Sequence, residues 1–216
     1  MKIALINGSP KGNKSTTNVL LNMIRKGLDG AEIIEATVVK DAMQAEKMAE
    51  IAGCDALLLA FPLYIDSIPS HDIGWMKEFD AYLKANAGGS VKRVFAVSNC
   101  GFAEAFHNLT ALEVVKNWSA RIGANFAGAA AVGKGGMILS VSASAGEKGP
   151  MKPLSIDMQK FASKIMDENY ADGEIMQTSP GFPNFLYKSV SHKLWKSMAK
   201  ENGISVKDIE ATSWDR

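Results

Sequence analysis

Apolar residues in this chain gather into short runs, separated by longer stretches in which they recur every three or four positions. Ile3-Ala4-Leu5-Ile6 is the first run, and a weaker one extends from Ile33 to Val39. Ala56 to Phe61, Val94 to Val97 and Phe126 to Val132 follow. The first, third and fourth are nearly continuous rather than alternating, the pattern of strands covered on both faces. Between them, residues 15–28 place Leu20, Ile24 and Leu28 on one stripe, and residues 70–84 do the same with Ile73, Met76, Phe79 and Leu83. The stretch 103–122 carries Leu112, Val115, Trp118 and Ile122, and 153–169 carries Ile156, Phe161, Ile165 and Met166. This alternation predicts an α/β protein in which helices wrap both faces of a parallel sheet.

The pattern changes near residue 167. Asp172-Gly173 and Ser179-Pro180-Gly181-Phe182-Pro183 carry turn chemistry, and Phe185 to Lys200 reads as one more amphipathic helix, ended by Asn202-Gly203. The chain is therefore expected to comprise a domain over 1–170 and a C-terminal extension over 171–216. Lys188, His192, Lys196 and Lys200 follow one another at four-residue spacing along the last helix. They form either a solvated face or a docking surface for an anionic partner.

Composition narrows the class. The chain has 216 residues, 47% hydrophobic and 22% charged, with a net charge of +1. Such a chain can bury a core, and it lacks the cationic excess of a nucleic-acid binder, so no nucleic-acid partner is expected. The opening apolar run stops at Asn7-Gly8-Ser9-Pro10, too short for a secretory signal, and no window approaches a membrane span. A cytoplasmic location is the expectation. Cys54 and Cys100 cannot build a disulfide framework, and His71 and His192 have no partners at ligand spacing, so no metal site is expected.

The most informative segment runs from Asn7 to Asn18, NGSPKGNKSTTN, between the first strand and the first helix. A helix N-terminus leaves amide groups unpaired and carries partial positive charge, so it suits an anion. Ser9, Ser15, Thr16 and Thr17 add hydroxyls, Lys11 and Lys14 add charge, and Gly8 and Gly12 allow close backbone approach. An ordinary capped helix would need only Ser15 or Thr16. The spacing fits neither nucleotide fingerprint: Asn13 separates Gly12 from Lys14, which breaks the Walker A pattern, and no G-x-G-x-x-G follows a strand. A terminal phosphomonoester on a small cofactor remains.

Two other strand ends carry candidate chemistry. Phe61-Pro62-Leu63-Tyr64-Ile65-Asp66-Ser67-Ile68-Pro69 suits a flat aromatic ligand stacked on Tyr64, or else seals the core or a subunit contact. Ser98-Asn99-Cys100-Gly101-Phe102 favours a tight turn whose amides reach the same ligand. Cys100 lacks the adjacent base that a nucleophile wants, with His107 some two helical turns on, and Cys54 reads as core packing. Gly133-Lys134-Gly135-Gly136-Met137 gives either room beside a ligand or a flexible turn.

On Gly8-Ser9-Pro10-Lys11 through Ser15-Thr16-Thr17, Phe61-Pro62-Leu63-Tyr64 and Asn99-Cys100-Gly101-Phe102, the sequence resembles the flavodoxin-like NAD(P)H-dependent FMN reductases, including the branch related to iron–sulfur flavoproteins. The resemblance implies a flavodoxin-like, doubly wound, five-stranded parallel sheet with a C-terminal helical extension, and a homodimer. It implies FMN held by its phosphate at Ser9, Lys11, Ser15, Thr16 and Thr17. The isoalloxazine would lie along Pro62, Leu63, Tyr64 and Ile65 and against Asn99, Cys100, Gly101 and Phe102. Two isolated cysteines depart from the cluster motif of the iron–sulfur branch, so flavin without a cluster is expected.

The activity so implied is hydride transfer from NAD(P)H to flavin, then reduction of a small acceptor (quinone, nitroaromatic, azo compound, free flavin or ferric chelate) by a ping-pong cycle. Flavin carries that chemistry, so no side-chain acid or base is obligatory. An FMN-binding electron carrier or a redox-sensing interaction protein is the competing expectation, and the net charge of +1 argues against an acidic carrier.

Overall fold

The computed structural model describes residues 1–38, 43–86, 91–145, 147–205 and 208. Six parallel strands form one sheet in the order β2-β1-β3-β4-β5-β6. They are β1 (Lys2–Asn7), β2 (Glu32–Thr37), β3 (Ala56–Pro62), β4 (Arg93–Asn99), β5 (Asn125–Val132) and β6 (Glu174–Thr178). Five of these are the strands legible in the apolar runs; β6 is a sixth, and the expected five-stranded sheet is corrected accordingly. Val39, at the end of the second apolar run, lies outside the described residues.

The first five strands follow the doubly wound order 2-1-3-4-5, whose crossovers put helices on both faces. On one face α2 (Ala45–Ala52), α3 (Ser70–Ala85) and α4 (Leu109–Arg121) cover a core that includes Leu57, Leu59, Phe61 and Ala96. Trp75, Phe79 and Trp118 pack there as a triad, with Trp75 and Phe79 stacked at 5.3 Å and Trp118 Nε1 donating to the Met76 carbonyl at 3.0 Å. On the other face α1 (Thr16–Arg25), α5 (Gly135–Ala145) and α6 (Lys152–Met166) cover Ile3, Leu5, Leu58, Phe95 and Val97.

Local chemistry sets the element ends. Ser15 caps α1, accepting from the Asn18 amide at 3.1 Å, and Lys14 precedes it in a short 3-10 turn. Buried Arg93 at the start of β4 donates to the carbonyls of Asp167 and Ile165, which closes the C-terminal end of α6. The segment 133–137, for which the sequence left open room beside a ligand or a flexible turn, runs into a helix: Lys134 takes φ +56, and Gly135 opens α5 at once.

Residues Met1–Gly181 form one compact unit and Phe182–Arg216 a second. The boundary between these two units falls after β6, where the turn Ser179-Pro180-Gly181 ends. Within the second unit, α7 (Asn184–Glu201) occupies the expected amphipathic stretch.

Candidate functional site

The three loops singled out by sequence follow β1, β3 and β4, which are adjacent in the sheet and run the same way. Their starts therefore share its carboxyl edge, where open α/β sheets bind ligands. Backbone bonds stitch them together: the Gly8 amide donates to Ala60 at 2.7 Å, and the Leu63 amide to Asn99 at 2.8 Å. Asn99 is the hub. Its buried Nδ2 donates both to Thr17 Oγ1 at 2.9 Å and to the Phe61 carbonyl at 3.1 Å, joining all three loops.

The first loop is rich in donors, though several are used within it. Asn7 Oδ1 accepts from the Ser9 amide at 3.0 Å, and Ser9 Oγ accepts from the Lys11 amide at 3.4 Å. Ser15 is fully engaged: its hydroxyl donates to the Gly12 carbonyl at 2.6 Å while accepting from Asn18. Thr16 donates its hydroxyl to the Gly135 carbonyl at 3.0 Å. The amides of Thr16 and Thr17 lead the helix with no acceptor among the described residues, and Thr17 Oγ1 accepts from Asn99, which leaves its own proton to give. Gly12 sits at φ +52, a conformation that favours glycine.

The loop after β3 ends in a tight hairpin. Tyr64 and Ser67 exchange both backbone bonds, at 3.0 and 3.1 Å, while Ile65 and Asp66 take φ 50 and 55. This is a type I′ arrangement, which glycine or asparagine normally fills. A β-branched residue there is strained, and Ile65 is 101% exposed. Tyr64 is also exposed, and its amide is taken by Ser67. Of the backbone amides in these two loops, those of Leu63, Tyr64 and Cys100 are bonded within the protein, whereas that of Ile65 makes no hydrogen bond among the described residues.

The loop after β4 buries Cys100. Asn108 Nδ2 donates to its sulfur at 3.3 Å, and burial pushes its thiol pKa up. A thiol so raised is protonated at neutral pH and is not a nucleophile. Gly101 has open space where a side chain would stand. Phe102 begins an aromatic stack that the sequence did not announce: His107 lies between Phe102 and Phe106, with ring centroids 4.1 and 4.3 Å apart, and both phenylalanines are exposed. Lys134 is buried, with its ammonium group 3.3 Å from Ser179 Oγ and the Pro180 carbonyl, and burial lowers its pKa.

One further group belongs to this edge. Asp72, in the first turn of α3, is 0% exposed, and neither carboxyl oxygen has a hydrogen-bond partner among the described residues. Burial raises its pKa to about 8. Its neighbour His71 holds the Gly8 carbonyl at 2.9 Å through Nε2, which is 3.6 Å from Asp72 Oδ1.

No protein-family model matches the chain, and no curated protein matches it. Solved structures do. An NADPH-quinone reductase from P. pentosaceus is similar at 18% identity, covering 75% of this chain and 98% of that one with a TM-score of 0.54. A flavone reductase is similar at 10% identity, covering 81% of this chain and 66% of that one with a TM-score of 0.57. At such identities the likeness speaks for the fold, and with the 2-1-3-4-5 strand order it makes this chain a flavodoxin-like α/β protein with one added edge strand.

Proposed function

We propose that this protein is an FMN-dependent oxidoreductase that takes reducing equivalents from NAD(P)H and delivers them to a small acceptor. The observation that carries the proposal is the junction at Asn99, which ties a donor-rich helix N-terminus to two loops bearing exposed aromatic residues. The donor set fits a phosphomonoester. The Thr16 and Thr17 amides head α1, the Ser9 and Thr17 hydroxyls retain protons to donate, and Lys11 and Lys14 supply charge.

When bound, FMN supplies the hydride and electron chemistry. The chain's part is to bind and orient. Ser9, Lys11, Thr16 and Thr17 hold the phosphate, while Ser15 acts by capping α1 and fixing the loop through Gly12. Pro62, Leu63, Tyr64 and Ile65 would border the ring, the Ile65 amide being open to donate to it, and Asn99, Cys100, Gly101 and Phe102 would border it from the neighbouring loop. Asn99 acts through its ties to Thr17 and Phe61, and Cys100 by anchoring the loop, its amide bonded to Val132 and its carbonyl to Gly135. The protein works as a homodimer in the cytoplasm, in a ping-pong cycle in which the oxidised donor leaves before the acceptor enters. Quinones, nitroaromatics, azo compounds, free flavin and ferric chelates are the acceptor classes such a site serves. The quinone and flavone reductases of similar fold support this reading.

A visible absorption spectrum of the purified protein, followed by anaerobic NADPH and then NADH, tests it. Oxidised flavin bands that bleach with either donor are expected. Bound flavin that stays oxidised would instead favour an electron carrier or redox sensor, and failure to bind added FMN would overturn the proposal.

A further inference from the structure

Gly8, at the start of the first loop, is held on every side. Its amide donates to the Ala60 carbonyl at 2.7 Å, its carbonyl accepts from His71 Nε2 at 2.9 Å, and its α-carbon abuts the carboxyl group of Asp72. His71 and Asp72 both stand in the first turn of α3. The loop that carries Ser9 to Thr17 is therefore anchored on that helix as well as on the sheet.

A carboxyl group is a costly filler for such a contact. An apolar side chain would occupy the same space without the penalty of desolvation. Unbonded amides gather at the start of a helix, yet neither oxygen of Asp72 has a partner among the described residues. A buried polar group left in this way calls for a reason beyond packing. Burial raises its pKa to about 8. The other titratable groups around the contact are His71, with Nε2 3.6 Å from Oδ1, Asp66 in the loop that leads into α3, and Lys11 and Lys14 on the first loop. Once ionised, the group would hold a charge that has lost its water and gained no bond, and it would stand against a loop suited to a dianion.

We infer that Asp72 is a positioning residue of the first loop and supports it only as the neutral acid, so that its ionisation loosens Gly8 and releases the bound phosphate group. The inference rests on the first loop being a phosphomonoester site and does not require the flavin ring.

It is tested with the flavin-free full-length protein from pH 7 to pH 9, with folding followed by circular dichroism. FMN is titrated by its fluorescence, and methyl phosphate separately by calorimetry. A phosphomonoester has its second pKa at about 6, so the charge on either phosphate is constant across this window. Only the protonated fraction of Asp72 is competent, so wild-type affinity should fall about tenfold from pH 7 to pH 9. D72N keeps the shape without the ionisation and should bind at pH 9 about ten times more tightly than wild type. H71Q keeps a donor for the Gly8 carbonyl and should retain the slope. Should D72N not fold, calorimetry of the wild type at pH 8 in buffers of different ionisation heat gives the second reading: uptake of about half a proton per ligand is expected.

FMN bound with the same pH profile by wild type and D72N would overturn the inference and leave the FMN proposal standing, the slope then belonging to His71, Asp66, Lys11 or Lys14. Methyl phosphate held with the slope that depends on Asp72, by a protein that ignores FMN, would do the reverse. Binding without proton uptake, or no binding of either ligand, would also overturn the inference.

Discussion

The carboxyl group of Asp72 is packed against the α-carbon of Gly8. A Cβ built on Gly8 would stand 2.5 Å from Asp72 Oδ1 and 2.6 Å from Oδ2, closer than real atoms approach. Gly8 is thus fixed by contact from α3 rather than by its own backbone angle. Gly8→Ala should destabilise the protein by about 1–3 kcal/mol, the range for overpacking a filled site. Asp72→Ala opens the space, so the cost of Gly8→Ala should fall by about 1 kcal/mol or more in that background. A double-mutant cycle from urea unfolding checks this; additive effects would mean the loop yields elsewhere.

The same carboxyl makes stability depend on pH. Burial raises its pKa from 3.8 to about 8, desolvation being the cause, and His71 Nε2 lies 3.6 Å from Asp72 Oδ1. In the native state Asp72 keeps its proton across this window, whereas in the unfolded chain it loses it above pH 3.8. The native state therefore binds more protons, and this group's contribution declines as pH rises from about 4 to about 8, by roughly 1.4 kcal/mol per unit at most. Asp72→Asn should flatten that slope, with the difference between variant and wild type growing toward pH 8. Denaturant midpoints measured across the window decide it, and parallel profiles would show the carboxyl to be ionised or solvated.

The strands that the sequence reveals and those it conceals differ for a physical reason. Ile3 to Ile6, Ala56 to Phe61 and Val94 to Val97 are buried on both faces, so nothing interrupts their apolar runs. At the sheet's edge, β6 is a five-residue strand with Glu174 and Gln177 exposed, too short and mixed to stand out. The helix α5 is masked by Gly135-Gly136 and by serines that leave no polar stripe; Ser140 and Ser144 satisfy themselves on the carbonyls of Met137 and Ser140. Candidate site residues stand out in sequence where they sit in one contiguous loop, as Ser9 to Thr17 do. The Asp72–Gly8 contact and the stacking of His107 between Phe102 and Phe106 arise from tertiary packing and local folding that no motif records.

Asn99 carries the junction of the three loops, and its removal should be felt in both stability and ligand binding. Asn99→Leu keeps much of the volume but leaves the Phe61 carbonyl without its side-chain donor and Thr17 Oγ1 without a partner. A buried group left unsatisfied costs about 1–3 kcal/mol, and FMN retention on gel filtration should fall with it. Unchanged unfolding midpoints would show that water or main chain replaces both bonds.

Ile65 is strained in a turn that glycine or asparagine prefers, and its side chain is wholly exposed. Left-handed backbone costs an L-residue about 1–2 kcal/mol, and asparagine bears it more easily. Ile65→Asn should therefore stabilise the isolated protein by about 0.5–1 kcal/mol, read from the urea midpoint. Since the strain sits beside the candidate ring site, the variant should also show a raised KM for hydrophobic acceptors with little change in flavin content. A variant less stable than wild type would mean that the Ile65 side chain is covered in the working assembly.

The two cysteines should be silent in the native protein. Cys54 is buried with its thiol pushed up to about 11, chiefly by desolvation, and Cys100 is raised by burial and held by Asn108. Thiolate is the reactive form, so at pH 8 each should react with a disulfide reagent far more slowly than a free thiol, whose pKa is about 8.5. Both should titrate at full rate in denaturant. Cys100→Ala should retain NAD(P)H turnover within a few-fold, because Cys100 anchors the loop through its amide and carbonyl. Rapid native labelling of Cys100, or loss of turnover in the alanine variant with flavin still bound, would place the thiol in the chemistry and reverse its assignment.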